Sequence, residues 1–206
     1  MNKRNYNKEM QDEISSIGCR KPSMLLQCCC APCATAVINR LKDFDVTLFY
    51  YNPNTFPESE YQKRFETLIE YVDKAELGLN IVEIGYRDED YLAAVSGFSD
   101  TTEGGPRCAV CIRTRLTKTA EYAKEHGFEY FASTLSVSPM KNAVVINCVF
   151  VVFDVRAFVY AVRRDRRNDA KRVGFRMENR RCRRLSVRAR VGLLVHSLSD
   201  RGGLLI

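Results

Sequence analysis

The sequence predicts an α/β fold built on a parallel sheet. Short apolar runs that are typical of buried strands alternate with longer segments whose apolar residues recur at the spacing of one helical face. Such alternation indicates strand-helix-strand units, in which the strands lie parallel. A chain of 206 residues is also long enough to bury one hydrophobic core without disulfide bonds.

The first elements follow from local composition. Residues 1–22 are polar and are expected to form a leader of one or two helical turns. Met24–Gln27 is short and apolar, as a buried strand would be, and Ala34–Leu41 has its apolar residues on one helical face. Val46–Tyr51 is β-branched and aromatic and predicts a second strand, which ends in the Asn-Pro-Asn turn at 52–54.

The middle of the chain repeats this order. Glu58–Ala75 carries a helical stripe of apolar and aromatic residues, and Asn80–Tyr86 alternates as a third strand. Asp88–Val95 is expected to be a short helix, and Gly-Gly-Pro at 104–106 breaks the chain.

The last predicted elements are a helix over Ile112–His126, a strand over Tyr130–Leu135 and a helix that begins in Ser136–Asn142. In a parallel sheet, functional groups gather at the carboxyl ends of the strands. We therefore expect the turns that follow the first, second and fourth strands to converge on one crevice.

Clustered cysteines are the main chemical signal. The chain has nine cysteines and a polar N-terminus without the apolar core of a signal peptide, which predicts a reducing cytoplasm and cysteines that bind metal or do redox work. Its longest apolar run, Cys148–Val162, is interrupted by Asp154 and Arg156, so no membrane span is expected.

Four cysteines fall in the six positions Cys28–Cys33, between a strand and a helix start, where unpaired N–H groups favour a thiolate. A thioredoxin-like dithiol at Cys30 and Cys33 is one interpretation. Structural zinc held by Cys30/Cys33 and Cys108/Cys111 is a second. The third is an iron-sulfur cluster held by thiolates of both loops, which accounts for the most sulfur.

Several motifs occur together in order: Leu25–Cys33, Phe49–Asn54 with Glu60–Arg64, Arg107–Cys111 with Arg115–Leu116, and Thr134–Asn142. In these motifs the chain resembles the cobalamin-independent epoxyqueuosine reductases, the QueH family, over about residues 1–147. The resemblance implies a Rossmann-like sheet of the nucleotide alpha-hydrolase kind, incomplete here at the C-terminus. It also implies a [4Fe-4S] cluster with a second, mononuclear metal, expected to be iron, and no cobalamin.

The implied activity is the reduction of epoxyqueuosine to queuosine at the wobble position of tRNA. The implied partners are a tRNA carrying epoxyqueuosine and an electron donor such as a flavodoxin or ferredoxin, without a membrane. By position, the family's cluster ligands match Cys29, Cys30, Cys108 and Cys111. Cys33 matches a catalytic ligand of the second metal, and Gln27 stands where the family often has histidine.

Cys28 occupies a position that varies in the family and is interpreted as a small buried residue beside the cluster. The resemblance further suggests substrate-binding side chains that shape the pocket or contact the tRNA. These are Tyr51, Asn52, Tyr61, Arg64, Ser136, Ser138, Lys141 and Asn142. For the aromatic members, core packing is the alternative, and for the last four it is an ordinary helix cap with a solvated lysine.

The composition changes near residue 147. Residues 1–147 hold 17 Lys+Arg against 20 Asp+Glu, whereas residues 148–206 hold 15 against 5, with one lysine and fourteen arginines. We interpret 148–206 as an out-of-frame or divergent tail with no assigned domain, and 1–147 as the reductase-like domain. An Arg-rich RNA-binding extension is the alternative. If the family's missing ending completes the site, this chain is expected to hold a cluster without reducing the substrate.

Overall fold

A five-stranded parallel sheet lies at the centre of the computed structural model, which describes residues 5–98, 101–102, 104–138, 140–141, 145–147 and 156–158. The strands are β1 Ser23–Cys28, β2 Asp45–Tyr50, β3 Asn80–Glu83, β4 Tyr130–Ser133 and β5 Arg156–Phe158. The helices are α1 Tyr6–Ile17, α2 Ala31–Ile38, α3 Glu58–Lys74, α4 Asp88–Val95 and α5 Pro106–Glu125, with a 3₁₀ helix at Thr134–Val137. The α/β class with a Rossmann-like parallel sheet is confirmed.

The strand order β3-β2-β1-β4-β5 makes β1 the central strand. Leu26 of β1 is in register with Leu48 on one side and with Ala132 on the other. The chain continues from β1 to β2 and β3 on one side of it, and then crosses to β4 on the other side. The direction in which strands are added therefore reverses at β1. In sheets of this kind, that reversal opens a crevice in which ligands bind.

Both faces of the sheet are covered. Alternate residues of β1 face opposite sides: Met24 and Leu26 lie in one buried cluster with residues of α1, α2 and α3, whereas Leu25 lies in a second with residues of α5. A strand buried on both faces must be apolar throughout. This explains why Met24–Leu26 reads as a continuous hydrophobic run.

The N-terminal helix is longer than the leader of one or two turns that the sequence predicts. It spans twelve residues and is capped by the Asn5 side chain, which accepts a hydrogen bond from the Lys8 N–H. Met10 and Ile17 are 4% and 6% exposed and join the first core cluster. Two apolar residues seven positions apart in a polar segment are a weak signal, so the helix is defined by what it packs against.

Other boundaries also move. α2 begins at Ala31, three residues before the predicted start, and has a proline in its first turn, where the missing N–H costs nothing. α5 begins at Pro106, so Cys108 and Cys111 lie on the helix itself. After β4 the described residues form a 3₁₀ helix over 134–137, where an α-helix from 136 was expected.

The segment 148–206 is described only at Arg156–Phe158, which forms β5 beside β4. These three residues therefore contribute a strand to the sheet. The rest of that segment lies outside the described residues, and its interpretation as an out-of-frame or divergent tail stays a prediction. No helix in the described part combines the length and the apolar character that crossing a membrane requires.

We predict that Leu48→Ala lowers the free energy of unfolding by about 2–5 kcal/mol, because it removes a fully buried side chain from the central sheet. Chemical denaturation measures this change. The matched control is Leu92→Ala on α4, where the side chain is 51% exposed and a change below about 0.5 kcal/mol is expected. Equal losses for the two variants would contradict the described packing.

Candidate functional site

The cysteine-rich loop leaves the carboxyl end of the central strand. Cys28 is the last residue of β1, and Cys30 is the N-cap of α2, with extended backbone and no side-chain hydrogen bond to the helix. The first N–H groups of a helix have no intrahelical partners, and the dipole there is positive. The loop thus presents its sulfur atoms where negative charge is stabilised.

Three cysteines form a compact sulfur cluster. The Sγ atoms of Cys29, Cys30 and Cys33 all lie within 4.8 Å of one another, and the Cys29 and Cys30 sulfurs are 3.8 Å apart. All three side chains are partly exposed. Thiolates at such separations suit a soft metal ion or an iron-sulfur group.

The pKa values of the three thiols are shifted in different directions. Hydrogen bonds from Cys30 and Cys33 hold the pKa of Cys29 well below its usual range, with smaller contributions in the same direction from the Arg115 charge and the Thr134 hydroxyl. The same interactions with Cys29 raise the pKa of Cys30 and of Cys33. Metal ions bind thiolates, so a metal bound there would release the protons that these thiols carry.

Cys28 is not part of this cluster. Its side chain is fully buried, and its thiol donates to the Leu26 carbonyl oxygen at 3.4 Å. Burial raises its pKa well above the usual value. These features agree with its interpretation as a small buried residue beside the metal ligands.

Thr134 holds Cys29 in place, a role that was not predicted from the sequence. Its hydroxyl oxygen accepts a hydrogen bond from the Cys29 N–H at 3.2 Å and lies 3.5 Å from the Cys29 sulfur, to which it donates. The Thr134 side chain is fully buried at the end of β4. Thr134 directly follows β4, which lies beside β1 in the sheet. This position in the sequence is the signal from which its role could have been predicted.

The second cysteine pair lies in the first turns of α5. The Gly104 N–H donates to the Cys108 sulfur at 3.2 Å. Burial raises the pKa of Cys111, and the charges of Arg115 and Lys141 with a side-chain hydrogen bond from Arg115 partly offset that rise. Among the described residues, the sulfurs of Cys29, Cys30 and Cys33 lie within 4.8 Å of one another, and this group does not include Cys108 or Cys111. Their joining Cys29 and Cys30 on one cluster stays a prediction.

A network of buried polar side chains hydrogen-bonds to the residues that flank the cysteine-rich loop. Gln27 accepts a hydrogen bond from the Ser133 hydroxyl at 2.8 Å, and its amide nitrogen donates to the Tyr51 carbonyl oxygen at 3.2 Å. Asn52 donates to the Cys28 carbonyl oxygen at 2.9 Å and accepts from Arg115 at 2.5 Å. The turns after β1, β2 and β4 are thus tied together, as the predicted convergence requires.

Three of the predicted substrate-binding residues are buried. Tyr51, Asn52 and Tyr61 are at most 2% exposed. The Tyr51 hydroxyl donates to Asp90 at 2.8 Å, and that of Tyr61 donates to Glu83 at 2.7 Å. These contacts fix the two tyrosine side chains within the fold, and direct binding of substrate by these residues stays a prediction.

The other predicted substrate-binding residues are more accessible. Arg64 is exposed and pairs with Glu60 at 2.7 Å, and this hydrogen bond, with a smaller contribution from Cys30, raises the pKa of the guanidinium. Ser136, Ser138 and Lys141 are partly buried and follow β4. Asn142 lies outside the described residues. Arg64 and Lys141 thus bring positive charge to the two cysteine loops.

Comparison with known proteins identifies related sequences. A sequence-family model described as epoxyqueuosine reductase QueH matches residues 24–186, which extends past residue 147. A Streptococcus pyogenes serotype M1 protein named epoxyqueuosine reductase QueH is 39% identical over 155 residues, 70% of this chain and 60% of that protein. One of that name from Staphylococcus epidermidis is 35% identical over 152 residues, covering 69% of this chain and 64% of the relative.

A third protein of that name, from Dehalococcoides mccartyi, is 33% identical over 158 residues, which is 74% of this chain and 83% of the relative. This chain therefore spans less than two thirds of the first two relatives and most of the third. The matched residues include both cysteine loops.

We predict that Thr134→Val weakens binding of Co²⁺ to the cysteine loop about 10–100-fold, because Cys29 loses the hydroxyl that orients it. Anaerobic titration followed by thiolate-to-cobalt absorption measures the affinity. Thr67→Val is the control, since that exposed hydroxyl bonds only the Lys63 carbonyl oxygen in its own helix. Unchanged affinity in Thr134→Val would show that the hydroxyl does not position the ligand.

Proposed function

Because this chain belongs to the QueH family of epoxyqueuosine reductases, we propose that it is an oxidoreductase that converts epoxyqueuosine to queuosine at the wobble position of tRNA. The observation that carries the proposal is the group of three cysteine sulfurs at the carboxyl end of the central strand. In a parallel sheet this edge is where catalytic groups gather. The family model covers this loop and the second cysteine pair.

The donor set fits the metal groups that the family implies. Cys29 and Cys30, with Cys108 and Cys111 from α5, would supply the four thiolates of a [4Fe-4S] cluster. Cys33 would remain as a ligand of a second, mononuclear iron and as the catalytic residue. When bound, such groups supply single electrons and a Lewis acid that polarises the epoxide oxygen.

The proposed reaction is a two-electron reduction. Removal of the epoxide oxygen forms a carbon-carbon double bond and releases water, which consumes two electrons and two protons. The electrons would come from a donor of the flavodoxin or ferredoxin class. The cysteine loop is partly exposed, so a substrate and a donor can both approach it.

Recognition of the tRNA would depend on local charge, since residues 1–147 are slightly acidic as a whole. Arg64 beside Cys30 and Lys141 beside Cys111 carry positive charge near the loops and are suited to phosphate contacts. Ser136 and Ser138 add hydroxyl groups nearby. A cytoplasmic location would suit such a substrate.

The alternative interpretations make different demands on the same sulfurs. Structural zinc would use Cys30, Cys33, Cys108 and Cys111 and leave the low-pKa Cys29 without a ligand role, and a dithiol would leave three cysteines unused. An RNA-binding tail would depend on residues outside the described part. The cluster interpretation uses the most of the sulfur that the site presents.

Anaerobic reconstitution with iron and sulfide should load about four irons per chain as one [4Fe-4S] cluster, besides any iron at the second site. Cys108→Ser should lose the cluster, because one of its four thiolates is removed. Cys19→Ser should retain it, since Cys19 is exposed and separate from both loops. Iron and acid-labile sulfide analyses measure the outcome. Uptake of one zinc and no sulfide would instead support a structural site.

The decisive assay is reduction of a tRNA that carries epoxyqueuosine, with a chemical reductant and without cobalamin. Product is detected by nucleoside mass spectrometry. The cluster-loaded chain is expected to form queuosine, and Cys33→Ser is expected to retain the cluster while losing most turnover. A loaded chain that leaves this tRNA unchanged would refute the proposed activity for this chain.

A further inference from the structure

Arg115 is a buried cation near the cysteine centre that the proposed function does not use. It is 4% exposed and lies on α5, one turn after Cys111. Its Nη2 donates to the Asn52 side-chain oxygen at 2.5 Å. Its Nε is fully buried and has no hydrogen-bond partner.

None of the ion pairs found among the described residues includes Arg115. Guanidinium groups stay charged in proteins, and a buried charge without a counter-ion is strongly unfavourable. Its partner Asn52 is neutral and hydrogen-bonds Gln27 and the Cys28 carbonyl oxygen as well. Asn52 therefore orients the guanidinium without compensating its charge.

The missing negative charge is available from the sulfurs of both cysteine pairs. Arg115 lies one helical turn after Cys111 on α5, and its partner Asn52 donates to the Cys28 carbonyl oxygen at 2.9 Å, next to Cys29. A metal centre held by several thiolates is anionic and gains another negative charge on one-electron reduction. A fixed cation with a free donor suits such a centre.

We propose that Arg115 is the internal counter-cation of the cysteine centre, and that its free Nε–H donates to a thiolate or sulfide of the bound metal group. This role rests on the proposed function only for the identity of that group, since thiolate-bound zinc is anionic too. Arg115 acts through the centre as a positioning residue and is not itself a catalytic one. Its charge stabilises the reduced form and therefore raises the reduction potential.

Loss of the Arg115 charge should have opposite effects on the metal-free and the metal-loaded protein. In metal-free protein, Arg115→Met removes an uncompensated buried charge, so its free energy of unfolding should equal or exceed that of wild type. In loaded protein, the variant should bind its metal group more weakly. The equilibrium constant for its one-electron reduction should fall at least tenfold, which lowers the reduction potential by about 59 mV.

Two variants control this experiment. Arg113→Met changes the same residue type on the same helix, but its side chain is exposed, so potential and metal affinity should match wild type. Arg115→Lys keeps the charge and should retain most of the potential, although it loses the planar donor geometry. Denaturation with and without metal and a redox titration of the loaded protein provide the measurements.

The outcomes separate this inference from the proposed function. If Arg115→Met unfolds the metal-free protein, or leaves the potential and metal affinity unchanged, the counter-cation role is wrong. If the chain takes up only zinc, the proposed function fails while the inference is still tested, because Arg115→Met should then lower the zinc affinity at least tenfold.

Discussion

Hydrogen bonds from the two strands beside β1 determine where the cysteine loop lies. Thr134, at the end of β4, holds the Cys29 backbone and sulfur, and Asn52, in the turn after β2, holds the Cys28 carbonyl oxygen. Both depend on the parallel register of β1 with its neighbours. A one-residue shift would move each strand about 3.3 Å along its neighbour, which would break these hydrogen bonds. The geometry of the sulfur cluster is therefore a consequence of strand pairing.

Polar groups are concentrated at one end of an otherwise apolar core. Gln27, Asn52, Ser133, Thr134 and Arg115 are all buried near the carboxyl ends of the strands. Most of their polar atoms bond one another or loop backbone, as buried polar groups must if the fold is to be stable. The Arg115 Nε is an exception, since it is buried without a hydrogen-bond partner. The network connects the turns that follow the central strands.

Gln27 connects the turns that follow β1 and β2. Its side-chain amide accepts a hydrogen bond from Ser133 and donates to the Tyr51 and Cys28 carbonyl oxygens. It therefore acts on the turn between β1 and α2 through hydrogen bonds to backbone. The family model continues to residue 186, and β5 adds Arg156–Phe158 to the sheet. Some of the chain beyond residue 147 thus belongs with the sheet and with the family.

The sequence by itself determined the fold class, the four longer strands and the cysteine loop between β1 and α2. Those features depend on local periodicity and on motifs of a few residues, which are legible without any tertiary contact. Tertiary structure decided the length of α1, whose two buried residues are defined by the core they enter. It also decided the partners of Arg115 and Thr134, because Asn52 lies 63 residues from Arg115 and Cys29 lies 105 from Thr134. Contacts at such separations arise only when parallel strands bring their carboxyl ends together, and no local pattern encodes them.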